Sequence, residues 1–267
     1  MLATLACQPT SNAGQPILTE PGEVLMAGVS STAALHAVHA RFDVSFGVVG
    51  GQPMGAQSIA DVDIDLDTRN FATRNVSSGQ GGPDQVSEMI SVGGQQFTRT
   101  PPDTRWTTFP NMGGGQQALP SNPEMVALIA STVDSAHVVL HLADPEPCGE
   151  ATCYHVIAKL DAEATWQLLG PLIMGGAAIE PPPAGFNLPP ITLHVLVDQA
   201  SRALVAVNTA ISLQGMSITL AVSLTNHDVP VQIVAPPPAL VDNVNLEGGG
   251  GVAVPAPVPA PVPAESP

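Results

Sequence analysis

Residues 59–67 read IADVDIDLD. In a β-strand successive side chains point to opposite faces. Val62, Ile64 and Leu66 therefore share one face, and Asp61, Asp63, Asp65 and Asp67 share the other. Aliphatic residues on one side and carboxylates on the other, at a period of two, describe a half-buried strand of an antiparallel sheet. The same pattern returns near the C-terminus. Met216, Ile218, Leu220, Val222 and Leu224 alternate there with Ser217, Thr219, Ala221 and Ser223.

Working outward, most of the chain reads as strand. Phe42, Val44 and Phe46 alternate with Arg41, Asp43 and Ser45, and the turn Gly50-Gly51-Gln52-Pro53 follows. Further strands are expected at 70–77, 85–92, 95–100 and 105–109, then at Val138–Leu140 and Tyr154–Ala158. The C-terminal meander takes Ile191–Val197, Val205–Ile211 and 216–224, and Val231–Val234 is expected to complete the sheet. Three helices interrupt them. One spans Glu23–Leu35 after Pro21-Gly22. One starts at Asn122-Pro123-Glu124 and continues through Ile129, with a cap, a first-position proline and an acid in the first turn. One opens at Asp161 and runs through Leu169. The 170–190 stretch, rich in Pro, Gly and Met, is a loop, either a gate or a plain connection. Ten or eleven strands against three helices imply an α+β fold.

The composition bounds the function. Seven basic residues against 23 acidic ones give a formal charge of −16 across 267 residues. Such a chain cannot neutralise a run of phosphates, which excludes nucleic acid as a partner, and it has no polybasic patch for an anionic bilayer. Its longest greasy stretch, Leu168–Ile179, is too short for a membrane-spanning helix and is broken by Gly170, Pro171, Gly175 and Gly176. Aromatics are only 3% of a chain that is 44% apolar, so the core is aliphatic. From Ala235 onward the chain is Pro, Ala, Val and Gly, and 255–263 should be extended polyproline.

Cys148 and Cys153 enclose Gly-Glu-Ala-Thr, a tight turn that can bring two cysteines together. A disulfide is expected, with free thiols or a metal pair as the alternatives. Cys7 follows Ala3-Thr4-Leu5-Ala6 and precedes a polar tether, a pattern that resembles a bacterial lipoprotein cleavage site. The expectation is lipidation at Cys7; the alternative is a free cysteine in an unstructured N-terminus.

Catalytic motifs are sparse. Asp61-x-Asp63-x-Asp65 has the spacing that opens an EF-hand loop, but Leu66 occupies the sixth position where that loop needs Gly, which leaves a solvated strand face. His137-Val-Val-Leu-His141 mimics a zinc helix, yet Val138 stands where the general base would be and the stretch reads as strand. The glycine runs at 113–115 and 248–251 have no Gly-Lys-Ser/Thr ending, and no Gly-x-Ser-x-Gly elbow occurs. Neither catalysis, a metal nor a cofactor is expected. Trp106 is expected to pack between sheet and helix, or else to line a pocket mouth.

The order of these features resembles a known family. A helix leads into a strand meander, a Trp-bearing short strand and a second helix. Cys148-x4-Cys153-Tyr154-His155-Val156 follows, then a short helix, Val195-Leu196-Val197-Asp198 before a polar turn, and a long final strand. Over residues 22–236 this resembles the LppX/LprG-type envelope lipoproteins, which share the LolA-like fold. The resemblance implies a large curved antiparallel sheet, a half-barrel, with about three helices covering its concave face and an apolar cavity for acyl chains between them. It implies a non-enzymatic carrier of lipid or glycolipid, extracytoplasmic and anchored to the membrane through an N-terminal lipid, with an envelope transporter as a candidate partner. The expected organisation is a signal remnant and tether at 1–21, the lipid-binding domain at 22–236 and a disordered tail at 237–267. Alternation nominates Val44, Phe46, Ile64, Leu66, Val195, Val207, Ile211, Ile218, Leu220 and Val222 as lipid-lining residues. The competing expectation is a surface-exposed structural or sensing lipoprotein with a filled core and no lipid cargo.

Overall fold

A computed structural model describes residues 16–48, 53–79, 82–109, 129–131, 133, 135–173, 189–213 and 215–243. Helix α1 (Pro21–Ala33) opens on proline, which presets the first-turn backbone and lacks a donor that would be unsatisfied there anyway. It buries Val24, Leu25, Gly28 and Val29, a single stripe at helical spacing. Six strands follow: β1 (Ala37–Val48), β2 (Pro53–Asp65), β3 (Asn70–Ser78), β4 (Gln85–Val92), β5 (Gln95–Arg99) and β6 (Trp106–Phe109). A helical segment is described at residues 129–131. Then come β7 (Val138–Cys148), β8 (Ala151–Leu160), helix α2 (Ala162–Ile173), β9 (Ile191–Asp198), β10 (Leu204–Leu213), β11 (Met216–Thr225) and β12 (Val241–Asn243).

Among the described residues, twelve strands form one sheet in the order β12-β6-β5-β4-β3-β2-β1-β11-β10-β9-β8-β7. It is two antiparallel meanders, β1–β6 and β7–β11, joined where β1 pairs with β11 from His39↔Thr225 to Val48↔Met216. The sheet is open, with β12 and β7 at its edges. Among the described residues its one parallel pairing is β12 on β6.

The register fixes which side chains share a face. Val156 stands opposite Val195, Val195 opposite Val207, Val207 opposite Val222, and Val222 opposite Phe42. α1 packs on this face over β8 and β9, where Val24, Val156 and Val197 are fully buried. Ile129 and Val133 pack against the same cluster. α2 covers Ala158, Leu160 and Ile191 through Ala164. Asp161 begins α2 by accepting hydrogen bonds from the backbone N–H groups of Glu163 (2.9 Å) and Ala164 (3.0 Å). The described helices thus lie on one face of an open antiparallel sheet, the α+β architecture expected from the alternation.

Three expectations need correction. Val231–Val234 is not a strand; the segment is irregular, and Val234 is largely exposed. Among the described residues the last strand is Val241–Asn243, beyond the expected boundary at 236, and the sheet has twelve strands against the ten or eleven expected. Leu66 is not on a strand either, because β2 ends at Asp65 and residues 66–69 form the turn to β3. Asp65 makes that turn by accepting from the N–H groups of Asp67 (3.1 Å) and Thr68 (3.0 Å), an Asx-type arrangement that ends the ladder. The start of the helix expected at 122, most of the 170–190 loop, Cys7 and the polyproline tail lie outside the described residues.

Candidate apolar binding site

Between α1, residues Ile129 and Val133, and strands β7–β10 lies a partly open cavity of about 180 Å³. Leu25 and Val29 face it from α1, and Ile129 and Val133 from the neighbouring segment. The sheet supplies Val138, Ala158, Leu160, Leu193, Val195, Leu204 and Val207. All eleven are aliphatic, and among the described residues no titratable or hydrogen-bonding side chain lines it. Such walls exclude directional recognition and favour any guest that removes methylene surface from water.

Local sequence explains the opening. Aliphatic residues recur at every second position of β9 (Ile191, Leu193, Val195, Val197), and a register shift in β10 brings both Leu204 and Val207 opposite that face. α1 approaches closely at Gly28, where a Cβ would lie 2.8 Å from Val197 Cγ2 and 3.0 Å from Leu204 Cδ2. The helix therefore touches the sheet at Gly28, and Leu25 and Val29 on either side of that contact form part of the cavity wall.

Of the ten nominated residues, the structure brings Val195 and Val207 into the cavity. Ile211 packs instead on the cluster beneath α2. Ile218, Leu220, Val222, Val44 and Phe46 continue the same sheet face across β11 and β1, where Val44 stands opposite Leu220 and Phe46 opposite Ile218. Ile64 lies further along that face, opposite Val38 on β1. Leu66 falls in the turn. Sequence reading missed Leu25 and Val29 although they sit on the apolar stripe of α1. It also missed Leu193, which carries the signal of β9 alternation, and Leu204, which a register shift in β10 brings to the same face as Val207.

The opposite face is chemically different. A cleft of about 330 Å³ there is lined by His39, Asp61, Asp63, Arg74, Glu88, Arg99 and Trp106, among others. Its charges are paired across strands. Arg41 Nη1 donates to Asp61 (3.1 Å), His39 Nδ1 lies 2.8 Å from Asp63, and Arg99 Nε donates to Glu88 (2.9 Å). Arg74 stands opposite both Asp61 and Glu88. The guanidinium of Arg99 lies 4.5 Å over the ring of the buried Trp106. Trp106 thus lies under an arginine on the face away from α1 and lines this cleft. Of the aspartates of 59–67, Asp61, Asp63 and Asp67 lie beside Arg41, His39 and His36, and Asp65 is used in a turn. Beyond β7 the hairpin is closed by a Cys148–Cys153 disulfide, with Cα atoms 5.8 Å apart.

No family model and no curated protein matches the chain by sequence. Solved structures do. LprF from Mycobacterium bovis superposes with a TM-score of 0.50 at 16% identity, covering 83% of this chain and 99% of its own. The Mycobacterium tuberculosis lipoprotein LppX gives a TM-score of 0.45 at 16% identity, covering 80% and 97%. At these identities the likeness concerns the fold alone, and LprF carries it. The chain has the fold of LprF.

Proposed function

We propose that this protein is a non-enzymatic carrier that holds the acyl portion of a lipid or glycolipid in the cavity between α1 and β7–β10. The observation that carries the reading is that every described residue of that cavity's wall is aliphatic. Each methylene moved from water into such a site contributes about 0.8 kcal/mol. Size sharpens the proposal. An aliphatic cavity of about 150 Å³ stays dry and accepts a benzene-sized guest. The 180 Å³ here suits a stretch of one acyl chain and not a whole two-chain lipid. The remainder of the lipid would run along the same face toward β11 and β1, where Phe46, Val48 and Met216 are 39%, 46% and 45% exposed. In this reading the protein acts outside the cytoplasm, tethered through a lipidated Cys7. LppX is itself a lipoprotein.

Native mass spectrometry of the purified chain, before and after organic extraction, tests the reading. A carrier shows an adduct of lipid mass that extraction removes. Val207→Trp should abolish the adduct while circular dichroism stays unchanged, because the indole occupies space the guest would take. A chain without adduct, in which Val207→Trp unfolds, has a filled core and is the structural or sensing lipoprotein instead.

A further inference from the structure

A second site is built on the face away from the cavity, where β7, β8 and β9 meet. His155 Nε2 and His194 Nδ1 are 3.0 Å apart, and the ring centroids 5.2 Å. On the other side of the His155 ring, Nδ1 lies 3.4 Å from Glu146 Oε2. Three independent features produce this arrangement. The register sets Ile157 opposite His194, so the two histidines are diagonal neighbours on adjacent strands. A bulge between Ala143 and Glu146 inserts one residue into β7 and turns the Glu146 carboxylate toward His155. The Cys148–Cys153 disulfide closes the hairpin two residues from both Glu146 and His155.

The chemistry of the trio is directional. The Glu146 carboxylate near Nδ1 favours the tautomer of His155 that carries its proton there. In that tautomer the Nε2 lone pair of His155 faces His194 Nδ1. A carboxylate behind an imidazole whose far nitrogen is free is the arrangement in which metal-ligating histidines are held. If His194 shifts its proton to Nε2, both facing nitrogens become donors to a cation.

We propose that His155 and His194 form a two-nitrogen chelate for a divalent transition metal, with Glu146 orienting His155. The spacing selects among metals. With metal–nitrogen bonds of about 2.0–2.1 Å, nitrogens 3.0 Å apart subtend roughly 90–97° at the metal. That is the adjacent-ligand angle of a tetragonal site and is narrower than a tetrahedral one, so it suits Cu²⁺ over Zn²⁺, in the same sense as the general order of divalent affinities. His155 is largely buried, with 16% of its side chain exposed, and forms the fixed half of the chelate; His194 is the exposed half that adjusts. This site does not depend on the lipid-carrier reading, since its residues and face are separate.

The test is titration of the full chain with Cu²⁺ and, separately, Zn²⁺. Cys7→Ser serves as the common background so that no free thiol at that position reduces copper. The expected result is one tight Cu²⁺ equivalent whose electron paramagnetic resonance shows nitrogen hyperfine coupling. His155→Ala or His194→Ala should each remove it, and Glu146→Gln should weaken it about 10–100-fold. His36→Ala, which touches an exposed His–Asp pair elsewhere, should leave it intact, and circular dichroism checks that each variant folds. A tight equivalent that survives in the His155→Ala/His194→Ala double variant overturns the assignment. So does a wild-type chain that binds Cu²⁺ no better than that variant. Zn²⁺ binding as tight as Cu²⁺ overturns the geometric argument for the metal.

Discussion

At the scale of single residues, two positions carry consequences that contacts alone decide. Gly28 is a helix-interior glycine, and alanine there would raise helix propensity by about 1 kcal/mol. Its Cβ, however, would meet Val197 Cγ2 at 2.8 Å, and Val197 is fully buried and β-branched, so it cannot yield by a rotamer change. Overpacking of this kind costs about 1–3 kcal/mol. Gly28→Ala should therefore lower stability in denaturant titrations despite the propensity gain. The second position is the pair of His137 and Asp161, whose Nδ1 and Oδ2 are 2.7 Å apart. Hydrogen bonding and proximity to Asp161 raise the pKa of His137 above its ordinary 6.5. Backbone donation from Ala164, then the bond to His137, hold Asp161 below its ordinary 3.8. The histidine's contribution is complete below its unfolded pKa and is lost as pH rises through its raised folded value. The aspartate's contribution is present above its unfolded pKa and is lost as pH falls through its depressed folded value. The pair stabilises most between those limits. His137→Ala should then cost more stability at about pH 5.5 than at about pH 8.5, read by thermal melts at the two pH values.

At the scale of elements, β12 shows why three residues can matter to a sheet edge. Val241, Asp242 and Asn243 pair with Trp106, Thr107 and Thr108, and Arg105 Nε donates to Asp242 Oδ2 at 2.6 Å. Without β12, β6 becomes the sheet edge, an unpaired ladder next to the buried Trp106. A chain truncated after Asn243 should melt like the full protein. One truncated after Pro236 should melt lower, with a red-shifted tryptophan emission. The sequence could not have announced β12, because a three-residue segment close behind Pro236-Pro237-Pro238 has no periodicity to read. Its pairing comes from an edge and an arginine more than a hundred residues away. The converse error at Val231–Val234 has the same cause: an apolar run that no strand edge receives stays irregular. Long alternating strands such as β2 and β11 were legible because their register buries one face over many residues, and a slip of one would expose it. The cavity was legible only in part, since alternation marks the apolar face of the sheet but not where α1 settles on it. Val195 and Val207 lie beneath α1, whereas Ile218, Leu220 and Val44, with the same local pattern, lie beyond the cavity.

At the scale of the whole molecule, the cavity links cargo to stability. An acyl segment that fits beneath α1 binds the folded chain and has no site in the unfolded one, so it stabilises by mass action, by about 2.7 kcal/mol at a hundredfold excess over Kd. For a domain of this size, 1 kcal/mol moves the midpoint of thermal unfolding by about 2–4 °C. Protein stripped by organic extraction should therefore melt about 5–10 °C below protein in such an excess of lipid, and adding a long-chain fatty acid should restore the difference. Val207→Trp provides the internal comparison. Its indole fills the volume covalently, so its melting temperature should barely respond to extraction or to added fatty acid. If stripped and untreated wild type melt together, and Val207→Trp melts far below both, the volume beneath α1 is already close-packed in solution. The aliphatic wall would then be core and not a binding surface.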